Sequence, residues 1–385
     1  MNRKWFLLLL SAATFIIFFQ IYMVAPIIPA LSTFFNVTEE RIGLAITAYL
    51  IPYGISTLFY GLFADKIGAK KIILLSLFAF ALLTGLTSLS QSASQLIAWR
   101  FLTGVGASGV VPISLAWVGQ SYSYNERGKP LGWLFGAMAG GSAFGAFAGA
   151  LLEALIGWRI LFLLVSMLAL IAWIGIYFAY NRLSSPPKVN QGLTLKKVFN
   201  GYKDLIQRGK IIYVYVLLNG IFTSGVFTWL GSYFEKTFSL TGWHIGLALL
   251  GYGIPGFLLG PFIGGLADRF GRNRLLPAGL TVGALSCFIL SLPISLVIAR
   301  ISVITLSLGY DLTQPSLAGI ITKVGKERPG QAMGLNVFML FIGFGLGSYL
   351  FGLGLQLGFT QVFIIFSSFQ MVLSLISIKV FRAYH

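Results

Sequence analysis

The chain has 385 residues, of which 57% are hydrophobic and only 10% charged, yet its formal net charge is +17. Ordinary soluble domains carry about 25% charge, and a soluble molecule this apolar lacks the polar surface to cover itself. A positive surplus suggests nucleic acid, but all of the 27 Lys and Arg except Arg41, Arg100, Arg159, Lys236 and Arg300 fall in segments that come to one side of a membrane. That asymmetry marks cytoplasmic loops. It predicts a multi-pass protein of the cytoplasmic membrane with both termini in the cytoplasm, its basic segments facing anionic lipid rather than nucleic acid.

Runs of about 20 apolar residues suffice to cross a hydrocarbon core. Such spans must be helical, because the alternating polarity of a membrane barrel is absent. The chain opens with Arg3 and Lys4 before an apolar stretch, as a signal peptide would. The apolar run continues to about Leu31 without a small-residue cleavage site, which predicts a retained first helix over 5–31. Further spans are predicted at 41–64, 72–90, 94–118, 130–152 and 158–180. Residues 181–210 are polar and basic, with Ser184, Ser185, Pro186 and Pro187 near their start, and predict a cytoplasmic linker. Within it, Leu193 to Ile206 has the pattern of an amphipathic helix on the membrane surface. Six more spans follow at 211–233, 243–266, 275–293, 297–321, 331–355 and 359–379. The expected architecture is an all-α membrane protein of twelve transmembrane helices, with one six-helix bundle in 1–180 and another in 211–385.

The two sets are copies. Displaced by 203 positions, residues 41–71 match 244–274 at twelve of 31 places, including Tyr49/Tyr252, Pro52/Pro255, Asp65/Asp268 and Gly68/Gly271. Duplicated six-helix halves are the mark of a transporter that rocks one half against the other. The best-defined motif closes the second span: Gly61-Leu62-Phe63-Ala64-Asp65-Lys66-Ile67-Gly68-Ala69-Lys70-Lys71. Its copy closes the eighth: Gly264-Gly265-Leu266-Ala267-Asp268-Arg269-Phe270-Gly271-Arg272-Asn273-Arg274. An Asp here can pair with nearby Arg or Lys, or face a helix N-terminus.

This pattern resembles the best-known signature of the major facilitator superfamily, and the second copy matches it more fully than the first. The resemblance covers essentially the whole chain. It implies two pseudo-symmetric six-helix bundles around a central cavity, with access alternating between the two sides of the membrane. By the same resemblance Gly61, Asp65 and Gly68, with Gly264, Asp268, Gly271 and Arg272, form a conformational latch and do not bind substrate.

Four further features carry functional expectations. Arg100, followed by Gly104-Val105-Gly106, resembles the family's second motif, and a cation within a span points to a protein interior or aqueous cavity. Gly136, Gly145 and Gly149 in the fifth span resemble the motif associated with exporters, although Ala150, Glu153 and Ala154 depart from it. Glu153 and Arg159 are expected to form an ion pair at the rim. Drug/proton antiporters of the family often carry an acid in the first helix, but Phe19 to Val24 holds none. Weight therefore falls on Asp311, the acid near the middle of the tenth span, which can carry a proton, attract a cation or be paired structurally. In the family, helices 1, 4, 7 and 10 line the cavity, so Gln20, Asn219 and Asp311 are expected to face a common space.

Other chemistry lacks a signature. There is no phosphate-binding loop, and His244 and His385 make no metal cluster. Cys287 lies alone in an apolar span. No cofactor is implied. The reading is a monomeric secondary transporter, with protons as coupling ion and efflux of a small organic molecule as its task. An uptake carrier or uniporter for a sugar or other metabolite is the alternative. A membrane-embedded enzyme or lipid scramblase would need a more concentrated polar site.

Overall fold

The computed structural model describes residues 3–121, 128–181, 195–259, 270–325 and 329–382. No strand occurs among them. The helices are α1 (Arg3–Tyr22), α2 (Ile28–Phe35), α3 (Glu39–Ile67), α4 (Ala69–Ser88), α5 (Ala93–Ala107), α6 (Val110–Ser121) and α7 (Gly128–Asn181) in the first half. The second half has α8 (Leu195–Phe238), α9 (Trp243–Leu249), α10 (Arg272–Leu290), α11 (Leu296–Val324), α12 (Pro329–Gly354) and α13 (Phe359–Val380). A short helical stretch at 254–259 follows α9.

Ten described stretches are long and apolar enough to cross a membrane. One of them, Trp133–Ala179, holds two crossings, because Gly157 breaks α7 at φ 78°, ψ 156°. The first crossing joins α1 to α2 through a turn at Ala25–Ile27, where Pro26 and Pro29 forbid a continuous helix. The fourth joins α5 to α6. The eighth is interrupted: α9 stops at Leu249, and Gly253 adopts φ 85° before the chain turns helical again.

The duplication is written into the backbone. Asn36 (φ 51°) and Ser239 (φ 54°) are the left-handed non-glycine residues described, and they stand 203 positions apart. Gly68 (φ 96°, ψ 136°) and Gly271 (φ 84°, ψ 141°) make the same turn at the same offset, a conformation open to glycine. Ser92 and Ser295, again equivalent, accept from the amides of Gln95 and Ile298 and cap α5 and α11.

Close packing repeats as well. Gly141, Gly145 and Gly149 form a stripe on α7 that receives Phe15, Phe19 and Met23 of the first crossing. In the second half Gly343 and Gly347 of α12 lie against the carbonyls of Leu217 and Ile221 of α8. Small residues let helices approach where lipid offers no hydrophobic drive for association. A Cβ on Gly136, by contrast, would meet nothing within 4 Å. The close-packing stripe begins at Gly141 instead.

The main seams between the halves are α3 with α12 and α7 with α9, and α8 also packs on the turn at Ala25–Ile27. On the first, Thr47 donates to the Gly345 carbonyl at 3.2 Å and Tyr53 stacks on Phe341 with ring centroids 4.3 Å apart. On the second, Gly246 lies against the Phe147 carbonyl. At the end remote from the termini, Lys236 of α8 pairs with Glu39 of α3 at 3.0 Å.

One expectation changes. Glu153 and Arg159 do not pair. Arg159 donates instead to the carbonyls of Ser88 and Ser90 at 2.7 and 2.8 Å, closing the C-terminus of α4. Free carbonyls at a helix end attract a cation strongly, and the turn at Gly157 separates the two residues. The predicted surface helix of 193–206 lies partly outside the described residues. From Leu195 it is helical and continues into the seventh crossing past Gly209. It is two-faced, with Leu205 buried and Phe199 61% exposed.

The glycine stripes yield a contrast. A Cβ on Gly347 would fall 2.0 Å from the Ile221 carbonyl oxygen. Gly347→Ala should cost about 1–3 kcal/mol through forced separation of α8 and α12, while Gly136→Ala should leave stability unchanged. Thermal unfolding of the purified protein in detergent measures both.

Candidate functional site

Arg100 is held in the first half. Ser92 starts α5, and Gly104, one turn beyond Arg100, lets α5 lie directly against the Tyr49 carbonyl of α3. The guanidinium is thereby pressed onto α3. Its Nε donates to the Ala45 carbonyl at 3.3 Å, and its Cζ lies 4.3 Å from the centre of the Tyr49 ring. Its Nη1 donates to Gln20 Oε1 at 2.7 Å, and Gln20 Nε2 donates onward to Thr84 at 3.4 Å. Arg100, Gln20 and Thr84 are fully buried. No carboxylate among the described residues neutralises this cation; a carbonyl, an amide and a ring face surround it, and its Nη2 is buried without a hydrogen-bond partner among them. Such a charge is stable only while every dipole stays in place.

A second cluster joins three helices of the other half. Asn219 of α8 donates to Thr313 of α11 at 3.2 Å and accepts from Gln370 of α13 at 3.2 Å. All three are buried.

Asp311 stands apart from both. The copy of Ala48-Tyr49-Leu50-Ile51-Pro52 in the eighth crossing reads Gly251-Tyr252-Gly253-Ile254-Pro255. Pro52 is carried inside a continuous α3. In the copy, glycine replaces Ala48 and Leu50, and the backbone breaks at Gly253. The Gly253 amide donates to Ser307 Oγ of α11 at 2.8 Å. Ser307 donates in turn to Asp311 Oδ2 at 3.2 Å, one helical turn on, and the Gly256 backbone also bonds the carboxylate. Gly256 is needed for this approach, since a Cβ there would lie 2.5 Å from Asp311 Oδ1. Tyr22, Tyr252 and Tyr310 stand close enough to feel the carboxylate's charge. Tyr22 belongs to the first half and hydrogen-bonds Ser142 of α7.

Tyr22 and Tyr252 also line a narrow cavity between the halves, of about 20 Å³, which in this conformation has room for about one water molecule. Ile46, Leu50, Phe227 and Phe344 supply apolar walls, and Ser224 and Thr228 supply hydroxyls. This is the balance of small-molecule sites: mostly apolar, with a few placed polar groups.

Gln20, Asn219 and Asp311 thus sit in three separate hydrogen-bonded clusters and do not face one space. Gln20 and Asn219 are consumed by structural bonds within their own halves. Asp311 adjoins the central cavity through two tyrosines that sequence reasoning did not single out. The signal for them was present in the repeat comparison, as the pair of glycines at 251 and 253.

Of the latch residues, Gly61 and Asp65 lie in the last turns of α3, and Gly68 and Gly271 form the equivalent turns. Arg272 lays its side chain across Gly319 of α11. Gly264 and Asp268 fall outside the described residues.

A family model described as Major Facilitator Superfamily matches residues 10–348 and, in a second match, 238–383. Multidrug resistance protein 2 of Bacillus subtilis (strain 168) is 25% identical, over 97% of this chain and 94% of that one. Multidrug resistance protein 1 of the same organism is 24% identical, over 88% and 86%. Among solved structures, a mutant of the nucleoside transporter NupG superposes with a TM-score of 0.78 at 14% identity, covering 99% of this chain and 100% of that one. This last likeness is one of fold.

The Arg100 cluster makes a testable unit. Gln20→Leu should destabilise the protein by about 1–3 kcal/mol, because it leaves a buried charged donor unmatched. Arg100→Met combined with Gln20→Leu should cost less than the sum of the single changes. Thermal unfolding of the two single variants and the double variant closes this cycle.

Proposed function

The chain belongs to the Major Facilitator Superfamily and is a membrane transporter of that type; we propose that it exports lipophilic, often cationic, small organic molecules in exchange for protons. The observation that carries this reading is the position of Asp311. It is an acid inside a span, tethered at a helix break, beside two tyrosines of the cavity that both halves line. A carboxylate in such a place binds a proton or a cation, not both at once. Competition of the two ligands for one group converts a proton gradient into movement of the other ligand. Discontinuous helices near the midplane are where transporters of this kind build their sites. The similarity to two multidrug resistance proteins supports the outward direction.

One charge crossing 100 mV is worth about 2.3 kcal/mol. At about 1.4 kcal/mol per decade this sustains a gradient of roughly 40-fold per proton. With the termini in the cytoplasm, as the distribution of basic residues argues, the end closed by Lys236 and Glu39 faces outward. The conformation described is then shut to the outside. Export requires this contact to part while the turns at Gly68 and Gly271 hold the opposite side. A single chain supplies both walls of the cavity, so the working unit is a monomer whose bundles are joined by the basic linker at 181–210.

In proteoliposomes with an imposed pH gradient, Asp311→Asn should abolish gradient-driven flux while the protein remains inserted and folded. Coupled flux at the wild-type rate would remove Asp311 from the mechanism. Asp65→Asn should slow turnover with little change in equilibrium substrate affinity. Loss of affinity at unchanged turnover would argue against a latch.

A further inference from the structure

A second pocket lies one step beyond the central cavity, along the same three helices and toward the end remote from the termini. On α3 the central cavity takes Ile46 and Leu50, and the outer pocket takes Gly43 and Leu44. On α8 the division falls between Thr228 and Trp229, and on α12 between Phe344 and Ser348. A partition separates the two spaces. Thr47 of α3 donates to the Gly345 carbonyl of α12 at 3.2 Å. Trp229 reaches from Gly43 of α3 to Gly352 of α12, where an added Cβ would come within 2.5 and 2.6 Å of its ring. Its Nε1 is fixed to the Ser348 carbonyl at 2.9 Å.

The two spaces differ in size. The central cavity has room for about one water molecule, whereas the outer pocket measures about 310 Å³. Small-molecule sites begin at roughly that volume. In this conformation the room for an organic ligand is therefore outside the partition.

The outer pocket also has polar groups to spare. Glu39 is committed to Lys236, and Arg41 turns to Ser94 of α5 at 3.2 Å. Glu40, half-buried in the first turn of α3, takes part in no ion pair among the described residues. Ser348 is 1% exposed, and its Oγ has no hydrogen-bond partner among them. A buried hydroxyl without a partner, lining a pocket, is an unmet demand for a polar ligand. A carboxylate only accepts, and a hydroxyl accepts as well as donates, so both suit an N–H donor. The remaining walls, Leu44, Tyr349 and Leu353, are mostly apolar.

We propose that this pocket is a second binding site, for small organic molecules that join a protonated amine to an apolar body. The ammonium meets Glu40 and the Ser348 hydroxyl, and the body lies on Leu44, Tyr349 and Leu353. The site goes beyond the proton exchange assigned to Asp311 and does not depend on it, because the partition stands between them.

The test is photolabelling of the full chain in bilayers of phosphatidylcholine and phosphatidylglycerol, whose lipids carry no primary amine to compete. The probe is 4-(aminomethyl)benzophenone, and 4-methylbenzophenone is the same body without the amine. Peptide mass spectrometry maps the labels. The amine should label Leu44, Tyr349 or Leu353 saturably and about 10-fold more than the neutral compound, the weight of a hydrogen bond to a charged group. Glu40→Gln and Ser348→Ala should each lower labelling by the amine and leave labelling by the neutral compound unchanged. Equal labelling by the two compounds, labels that miss these residues, or indifference to either substitution overturns the site. Asp311→Asn should leave the outer labelling unchanged, and its loss in that variant overturns the independence of the two sites. Gradient-driven flux that survives Asp311→Asn removes the proton-exchange role and leaves the labelling result standing, so the two readings fail separately.

Discussion

An unpaired amide inside a bilayer costs several kcal/mol, and lipid supplies no partner for it. That constraint organises the centre of this molecule. The eighth crossing breaks at Gly253 and frees an amide, which Ser307 of α11 satisfies. Ser307 is committed in turn to Asp311, which also takes a bond from the Gly256 backbone. The break therefore fixes a carboxylate at the meeting place of two helices of one half and Tyr22 of the other. Repairing the break with a continuous helix would remove the reason for Asp311 to be where it is.

The two halves share a scaffold and differ in chemistry. Equivalent turns at Gly68 and Gly271, and equivalent caps at Ser92 and Ser295, give both bundles the same connections. Glycine stripes seat the first crossing on the fifth and the seventh on the eleventh at nearly the same offset. On that common frame the first half buries Arg100 in a rigid network, and the second half opens its eighth crossing around Asp311. Buried cation and intramembrane acid are not paired with one another. The acid stands beside two tyrosines that line the cavity, while the cation joins α1, α3 and α5. The seam between the halves is made of lighter contacts, a threonine to a carbonyl, stacked rings and one ion pair at the far end. Surface ion pairs contribute little each, as suits an interface that must part and re-form.

Legibility in the sequence varied with the range of the interaction. The helical spans, the linker and the offset of 203 were readable because hydropathy and duplication are properties of the chain itself. The turn glycines were readable for the same reason, since a left-handed backbone selects its residue locally. The expected pair of Glu153 and Arg159 failed because nearness in sequence says nothing across a left-handed turn, and the free carbonyls at the end of α4 lie closer to the guanidinium. Gly136 matched a spacing, but only the approach of α1 decides which glycines are needed, and those begin at Gly141.

By itself the sequence determined the class of the protein: apolar runs demand a bilayer, basic loops orient it, and duplicated motifs make two related halves. Even the broken eighth crossing was encoded, in glycines at 251 and 253 where the first copy has alanine and leucine. What the tertiary structure alone decided was which intramembrane polar groups satisfy one another. Gln20 and Asn219 were expected to share one space with Asp311, but hydrogen-bond partners from distant helices absorb the first two. Asp311 alone of the three is tethered at the edge of the central cavity. That outcome depends on contacts between residues 54 to 151 positions apart, and no local pattern records them.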